Sequence, residues 1–428
     1  MPDTSTAVLS FPSLLLVKKG ARAGILLFPS VDSAFLTTYF ARGKITDQNQ
    51  NPSCGLEKSL MKITVTKSDL TNAISIVSKA VSTKSTMTIL ECILIDARGQ
   101  DIRLLGNDME LGIETVIPGT IEEKGMIAVD AAIFSAIVRK LPEEEVHLNV
   151  VEETIGIRCG KARFTIPGRD GRDFTRLPEI DKVDGINVSE YTLRDLINKT
   201  IFSISDNDSN KMMTGELLEI QDGFLKLVSL DGHRISIRRV ELNGSYNNRR
   251  VVIPGKTMSD ISKILGGDME KQVSIFFTPK HVLFEFDSTT VVSRLIDGEY
   301  FRIEQMLSSD YETKITVNRR EILDCIDRAT LLVKEGDKKP IILSLSEGNV
   351  EIKIRTTLGS MDEVVECTRT GRDMMIGFNP KFLVDALRAI EDEEVDIYFV
   401  NPKAPCFIRD AGENYNYVVL PVNFTTVD

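Results

Sequence analysis

One pattern of residues occurs three times in this chain, at a spacing that makes each occurrence part of a separate domain. It reads "IAVDAAIFSAIVRKLPEEEVHLNV" from Ile127, "VIPGKTMSDISKILGGDMEKQVSIFF" from Val252 and "GFNPKFLVDALRAIEDEEVDIYF" from Gly377. In each, a strand end leads into a helix start, an amphipathic helix, a turn and another strand. Aligned without gaps, Asp130, Pro254 and Asn379 coincide, 124 and 125 residues apart. The beginnings repeat as well: "ITVTKSDLTNAISIV" from Ile63, "INVSEYTLRDLINKT" from Ile186 and "ITVNRREILDCIDRA" from Ile315 each give a short strand, a polar cap region and a helix. Between these two landmarks, apolar and polar residues alternate about Gly99, Gly223 and Gly348, which is a hairpin signal.

Each copy therefore reads strand, helix, several strands, helix, several strands. The expected fold class is α+β: three tandem copies of a domain whose two helices pack on one face of an antiparallel sheet. Expected boundaries are 61–183, 184–311 and 312–428, with short linkers near 181–186 and 308–314. Residues 1–60 do not share the pattern. Their segment "SLLLVKKGARAGILLFPS" breaks its apolar runs with Gly and Pro, and Lys18 and Lys19 follow the apolar run that a secretory signal would place after its basic residues. A transit peptide stays open. The preferred reading takes "MKITVTKSDL" at Met61 as a natural beginning, and 1–60 as a disordered extension or a start-site artefact.

The length of 428 residues suits three such domains, and a composition of 42% hydrophobic and 27% charged residues supports buried cores. No stretch approaches the roughly 18 consecutive apolar residues of a membrane span. The cysteines at 54, 92, 159, 325, 367 and 406 stand singly, with no CxxC and no His at ligand spacing, which argues for reduced intracellular thiols rather than a zinc site. A net charge of −11 argues against a protein that coats nucleic acid, unless the charge is segregated.

Such segregation is visible on the helices. At about 100° per residue, Lys256 and Lys263 share one stripe of the second copy's middle helix, with Met258, Ile261 and Leu265 opposite. In the third copy Lys381 and Arg388 take the same places opposite Leu383, Ala386 and Ile390, whereas the first copy keeps only Arg139 and has Ala132 in the other place. Overlaying the first helices aligns Lys199 with Arg328, and Ile76 fills that place in the first copy. For a single helix this is an ordinary solvated face. Recurrence in register sets a second reading beside that one, a surface that meets a phosphate backbone without reading bases. Asp260, Asp324, Asp327 and Asp385 share these helices, so the expected DNA affinity is weak and strongly salt-dependent.

Catalytic motifs are missing: there is no GxxxxGKS/T, GxSxG or HExxH, and "GIRCGKARF" has its glycines too close for a phosphate loop. His147, His233 and His281 are too scattered for a catalytic array, and the acidic runs "PEEEV" and "EDEEV" fall at equivalent turns. In "SLDGHRISI", Asp231 and His233 could pair as acid and base, but no nucleophile accompanies them, and Asp-Gly there makes a turn between strands. An enzyme of repeated domains predicts convergent polar residues in one copy, and only this turn qualifies. A scaffold that binds proteins alone predicts no cation register, against the two lysine-led pairs.

These residues resemble the bacterial sliding clamps, the beta subunits of DNA polymerase III. The resemblance covers 61–428, through the threefold unit, "MKITVTKSDL", "LDGHRISI", "RLIDGEYF" at 294–301, "FNPKFLVDAL" and the terminal "YNYVVLPV". It implies a non-catalytic, head-to-tail homodimer whose six domains close a ring around duplex DNA, with helices lining the hole and sheets outside. A topological link then replaces tight binding. On this resemblance Lys84, after the first helix, lies near DNA together with Arg139, Lys199, Lys256, Lys263, Arg328, Lys381 and Arg388. A groove between the second and third domains takes peptides of polymerases, the clamp loader and repair proteins. It falls on Met213, Leu230, Gly232, His233, Arg234, Ile235, Phe301, Met306, Val418, Val419, Leu420, Pro421 and Val422. The ring joint sets Phe164 against Leu331 and Leu332 across the dimer, with Lys161 and Arg163 facing acids. No cofactor, metal or membrane is implied, and the location is cytoplasmic and nucleoid-associated. The chain departs from the family at Phe301, where Pro is frequent, at "SNKMMTG", where an Arg-Pro pair is common, and at its "TTVD" tail, which leaves the groove's peptide preference open.

Overall fold

A computed structural model describes residues 61–424 other than 84, 208, 308–309, 335–338 and 413. The N-terminal segment 1–60 and Lys84 lie outside the described residues. Two α-helices belong to each copy: α1 Lys67–Val77 and α2 Ala131–Arg139, α3 Glu190–Asn198 and α4 Gly255–Ile264, α5 Arg319–Thr330 and α6 Pro380–Arg388. Within each copy the two helices pack against each other. No helix among the described residues is long and apolar enough to cross a membrane.

The residues that coincide in the repeat prove to be helix caps. The carboxylate of Asp130 accepts from Ile133 N at 2.8 Å, and the amide oxygen of Asn379 accepts from Lys381 N at 3.1 Å, each satisfying a donor that the first turn leaves free. Pro254 has no such side chain, and α4 starts without a side-chain cap. Gly255 follows because a Cβ there would meet Ile204 Cδ1 at 2.4 Å and Thr214 O at 2.9 Å. The first helices are capped likewise by Thr66, Ser189 and Asn318. The hairpins of the second and third copies turn through Gly223 and Gly348, with φ of 81° and 80°. In the first copy the strands Cys92–Asp96 and Ile102–Asn107 are joined by a longer loop.

The sheets are less simple than one per copy. The strands of each copy divide into two stretches, and stretches from successive copies join edge to edge, giving, among the described residues, one sheet of 13 strands and another of 12. Strand Thr289–Arg294 of the second copy pairs with Leu111–Ile117 of the first, and Arg234–Glu241 of the second with Tyr415–Val419 of the third. One apolar core accordingly runs through the first and second copies. A second core fills the third copy, and a smaller cluster lies where the second and third meet.

Candidate functional site

The outward stripes of α4 and α6 fall where the helical period places them. Lys256, Lys263, Lys381 and Arg388 are exposed, and the six apolar residues opposite are buried. Arg139 on α2 and Arg328 on α5 are exposed too. Asp260 stands 3.6 Å from Lys256 and 3.9 Å from Lys263, Asp327 lies 2.9 Å from Arg388, and Glu363 engages Arg328. Such exposed pairs are worth about 0–1 kcal/mol and are screened by salt, so they leave these cations available to a phosphate.

Lys199 does not belong with them. Helix α3 ends at Asn198, and Lys199 is its cap, 8% exposed and paired with Asp195 at 2.6 Å and with Glu391 of the third copy at 3.1 Å. The cation that α3 does expose is Arg194, on a stripe with Tyr191 and Asn198. Arg320, in the first turn of α5, is also exposed.

Two strands have a half whose second edge pairs with nothing among the described residues. Ala162–Asp170 pairs with Thr154–Cys159 along 162–167, and only 168–170 also meet another strand. Gly359–Gly371 pairs with Asn349–Thr356 along 359–366, and its remaining part with Thr313–Asn318. The first open half carries the expected Arg163 and Phe164, the latter 41% exposed, with Lys161 just before it. At the end of α5, Leu331 is 77% exposed, while Leu332 packs against the core of the third copy and lies next to Gly359 of the other open half. Open half 359–366 adds residues that sequence reasoning missed: Val364, 58% exposed, with Asp362 and Glu366 as exposed acids.

The groove residues gather around the cluster between the second and third copies. Asp231 holds its turn by accepting from His233 N at 2.9 Å and Arg234 N at 3.0 Å, and Gly232 supplies a φ of 85°. The next strand pairs Ile235 with Val418, and Leu420 N donates to His233 O at 2.9 Å. Leu230, Ile235 and Val418 are buried in the cluster with Tyr300 and Ile303, while Met213 and Phe301 are partly buried at its border. Of the remaining expected groove residues, His233, Met306 and Leu420 are exposed, and Pro421 and Val422 are half-buried. Arg234 and Val419 point to the other face of their strands, as alternation requires: Val419 joins the core of the third copy, and Arg234 is only 8% exposed. These two therefore lie behind the apolar side that Ile235 and Val418 present.

Sequence reasoning overlooked Phe382, whose ring stacks on His233 at 6.1 Å, and Tyr300, whose hydroxyl donates to Val228 O. A cavity of about 680 Å³ beside the cluster, lined by Leu217, Val252, Arg250, Lys280 and Arg294 among others, contains none of the expected groove residues. No group of His, Cys, Asp and Glu among the described residues is arranged to hold a metal ion.

Comparison with known proteins agrees with this geometry. Models of the N-terminal, central and C-terminal domains of the DNA polymerase III beta subunit match residues 61–178, 187–301 and 304–423. A beta sliding clamp of Staphylococcus epidermidis is 31% identical over 378 residues, covering 85% of this chain and 99% of that protein. A crystal structure of a DNA polymerase III beta subunit from Eubacterium rectale superposes with a TM-score of 0.83 at 57% identity, covering 86% of this chain and all of that one. A sliding clamp from Pseudomonas aeruginosa, solved bound to griselimycin, gives 0.80 at 25% identity, covering 85% and 100%. With three domain models matched in order and a relative spanned almost end to end, the chain belongs to the DNA polymerase III beta subunit family, the non-catalytic sliding clamps of DNA replication.

Proposed function

We propose that two copies of this chain close head to tail into a ring of six domains that slides on duplex DNA and tethers polymerases, the clamp loader and repair proteins through the groove. The observation that carries this is a pairing rule used twice inside the chain. The strand after each copy's hairpin pairs with the last strand of the copy that stands next to it: Leu111–Ile117 with Thr289–Arg294, then Arg234–Glu241 with Tyr415–Val419. The strand after the third hairpin, 359–366, and the last strand of the first copy, 162–167, have no second strand partner among the described residues. Applying the rule once more joins one protomer to its partner, and a twofold axis makes a second, identical joint.

Side chains support the same step. At the junction of the second and third copies, Phe202 just after α3 meets Tyr417 with ring centroids 6.0 Å apart. Leu331 just after α5 and Phe164 in the first copy's last strand hold the corresponding positions. Lys161 and Arg163 would face Asp362 and Glu366. The domains are bounded at 61–183, 184–311 and 312–428, and the protein works in the cytoplasm on the nucleoid.

The deciding experiment loads the protein onto nicked circular DNA with its matching loader and then linearises the circle. Release on cutting is the expected result; retention on linear DNA, or no loading by an active loader, overturns the ring. A second expectation concerns the helices. Replacing Lys256, Lys263, Lys381 and Arg388 with Ala flattens the salt dependence of duplex binding, by a slope of about 0.9 for each phosphate no longer neutralised. Equal slopes for variant and wild type, in affinities measured across a salt series, would take these cations off the DNA.

A further inference from the structure

We propose that Phe382 and Asp385 of α6 are positioning residues for the partner groove, so that the helix presenting Lys381 and Arg388 to DNA also sets the shape in which a peptide is received. This rests on the groove reading above. Arg234 is the link. Its Nε donates to Asp231 at 3.0 Å, within the groove turn, and its Nη1 donates to Asp385 at 2.7 Å. Its Nη2 donates to the carbonyl of Phe202, and the guanidinium lies 5.4 Å from the Phe202 ring and 4.5 Å from the Phe382 ring. A planar fork held on this many sides has one orientation available, which a lysine would not reproduce.

The opposite wall is tied to the same segment. Val422 N donates to Gly377 O at 2.8 Å, on the strand Met374–Phe378 that runs into α6. A Cβ on Gly377 would meet Val422 O and Phe424 Cδ1 at 2.7 Å, so the C-terminal segment lies against bare backbone. The groove turn and the terminal segment thus share one support. A peptide that finds them already placed avoids the cost of ordering them on binding.

Griselimycin is the probe, with affinity measured by calorimetry on the full-length protein. Asp385→Asn and Phe382→Leu are expected to weaken it by about tenfold or more, the change that about 1.4 kcal/mol of lost preorganisation produces. Asp385→Glu and Phe382→Tyr should recover most of the affinity, which a general loss of fold would not allow. Glu347→Gln, on an exposed turn of the third copy, serves as the control. Wild-type affinity in both Asp385→Asn and Phe382→Leu overturns the proposal, as does equal weakening in their conservative counterparts. Leu420→Glu and Met306→Glu test the groove itself. If they abolish binding while the α6 variants do not, only the positioning role fails; if wild type does not bind, or they leave binding intact, the groove reading fails with it.

Discussion

Phe164→Asp is expected to leave the protein folded but single-chained. Phe164 is 41% exposed in one chain, so folding does not depend on burying it. Its counterpart at the intrachain junction, Tyr417, is 1% exposed, and the proposed joint would bury Phe164 in the same way. Truncating a central aromatic at an interface costs roughly 2 kcal/mol or more, and desolvating an unpaired carboxylate adds to that. Because the ring has two identical joints, each substitution counts twice, and the dissociation constant should rise by roughly a thousandfold or more. Sedimentation at micromolar concentration should give the mass of one chain, with an unfolding transition close to wild type. Leu331→Asp, on the other half of the proposed joint, should do the same. A Phe164→Asp protein that sediments as a dimer would show that the open edge at 162–167 is not where copies meet.

What the sequence disclosed and what it withheld divide by range. The helix starts at Asp130 and Asn379 and the buried faces of α4 and α6 were legible because they depend on a few neighbouring residues and a fixed helical period. Strand alternation identified the hairpins but not their neighbours, since it says which face of a strand is buried and nothing about which edge meets it. The helices were therefore expected on one sheet per copy, whereas sheets pass from copy to copy. Lys199 failed for a related reason. Overlaying it on Arg328 assumed that α3 continues through it, but the helix stops one residue earlier and Glu391, nearly two hundred residues away, completes its ion pair. Asp385 looked like an acid diluting a basic stripe, and only the folded junction turns it toward Arg234.

A buried carboxyl makes the second large expectation one of pH. Glu216 is fully buried on strand Gly215–Gln221, on the face it shares with Leu218 and Ile220. Its Oε1 accepts from the Thr200 hydroxyl, just after α3, and from the Ser229 hydroxyl at 3.0 Å, while its Oε2 meets no hydrogen-bond partner among the described residues. Desolvation pushes the carboxyl up to about 8 against the opposing help of those two hydroxyls, and the same burial, with Glu216 nearby, raises Tyr300. The folded protein therefore holds the proton that the unfolded chain releases near pH 4.5. Its contribution to stability is whole below that pH, falls as pH rises, and is spent above about 8, a difference on the order of 5 kcal/mol if nothing relaxes. Glu216→Gln keeps an acceptor for both hydroxyls and cannot ionise. Its advantage over wild type in urea unfolding should be small at about pH 5, grow by up to about 1.4 kcal/mol per pH unit, and level off above about pH 8. Because Tyr300 is raised above this pH range and the surface groups titrate in both proteins, the difference between them isolates Glu216. A difference that stays flat from about pH 5 to about pH 9 would mean that water or a structural shift solvates the carboxylate, and that this part of the second domain is less tightly closed than its packing indicates.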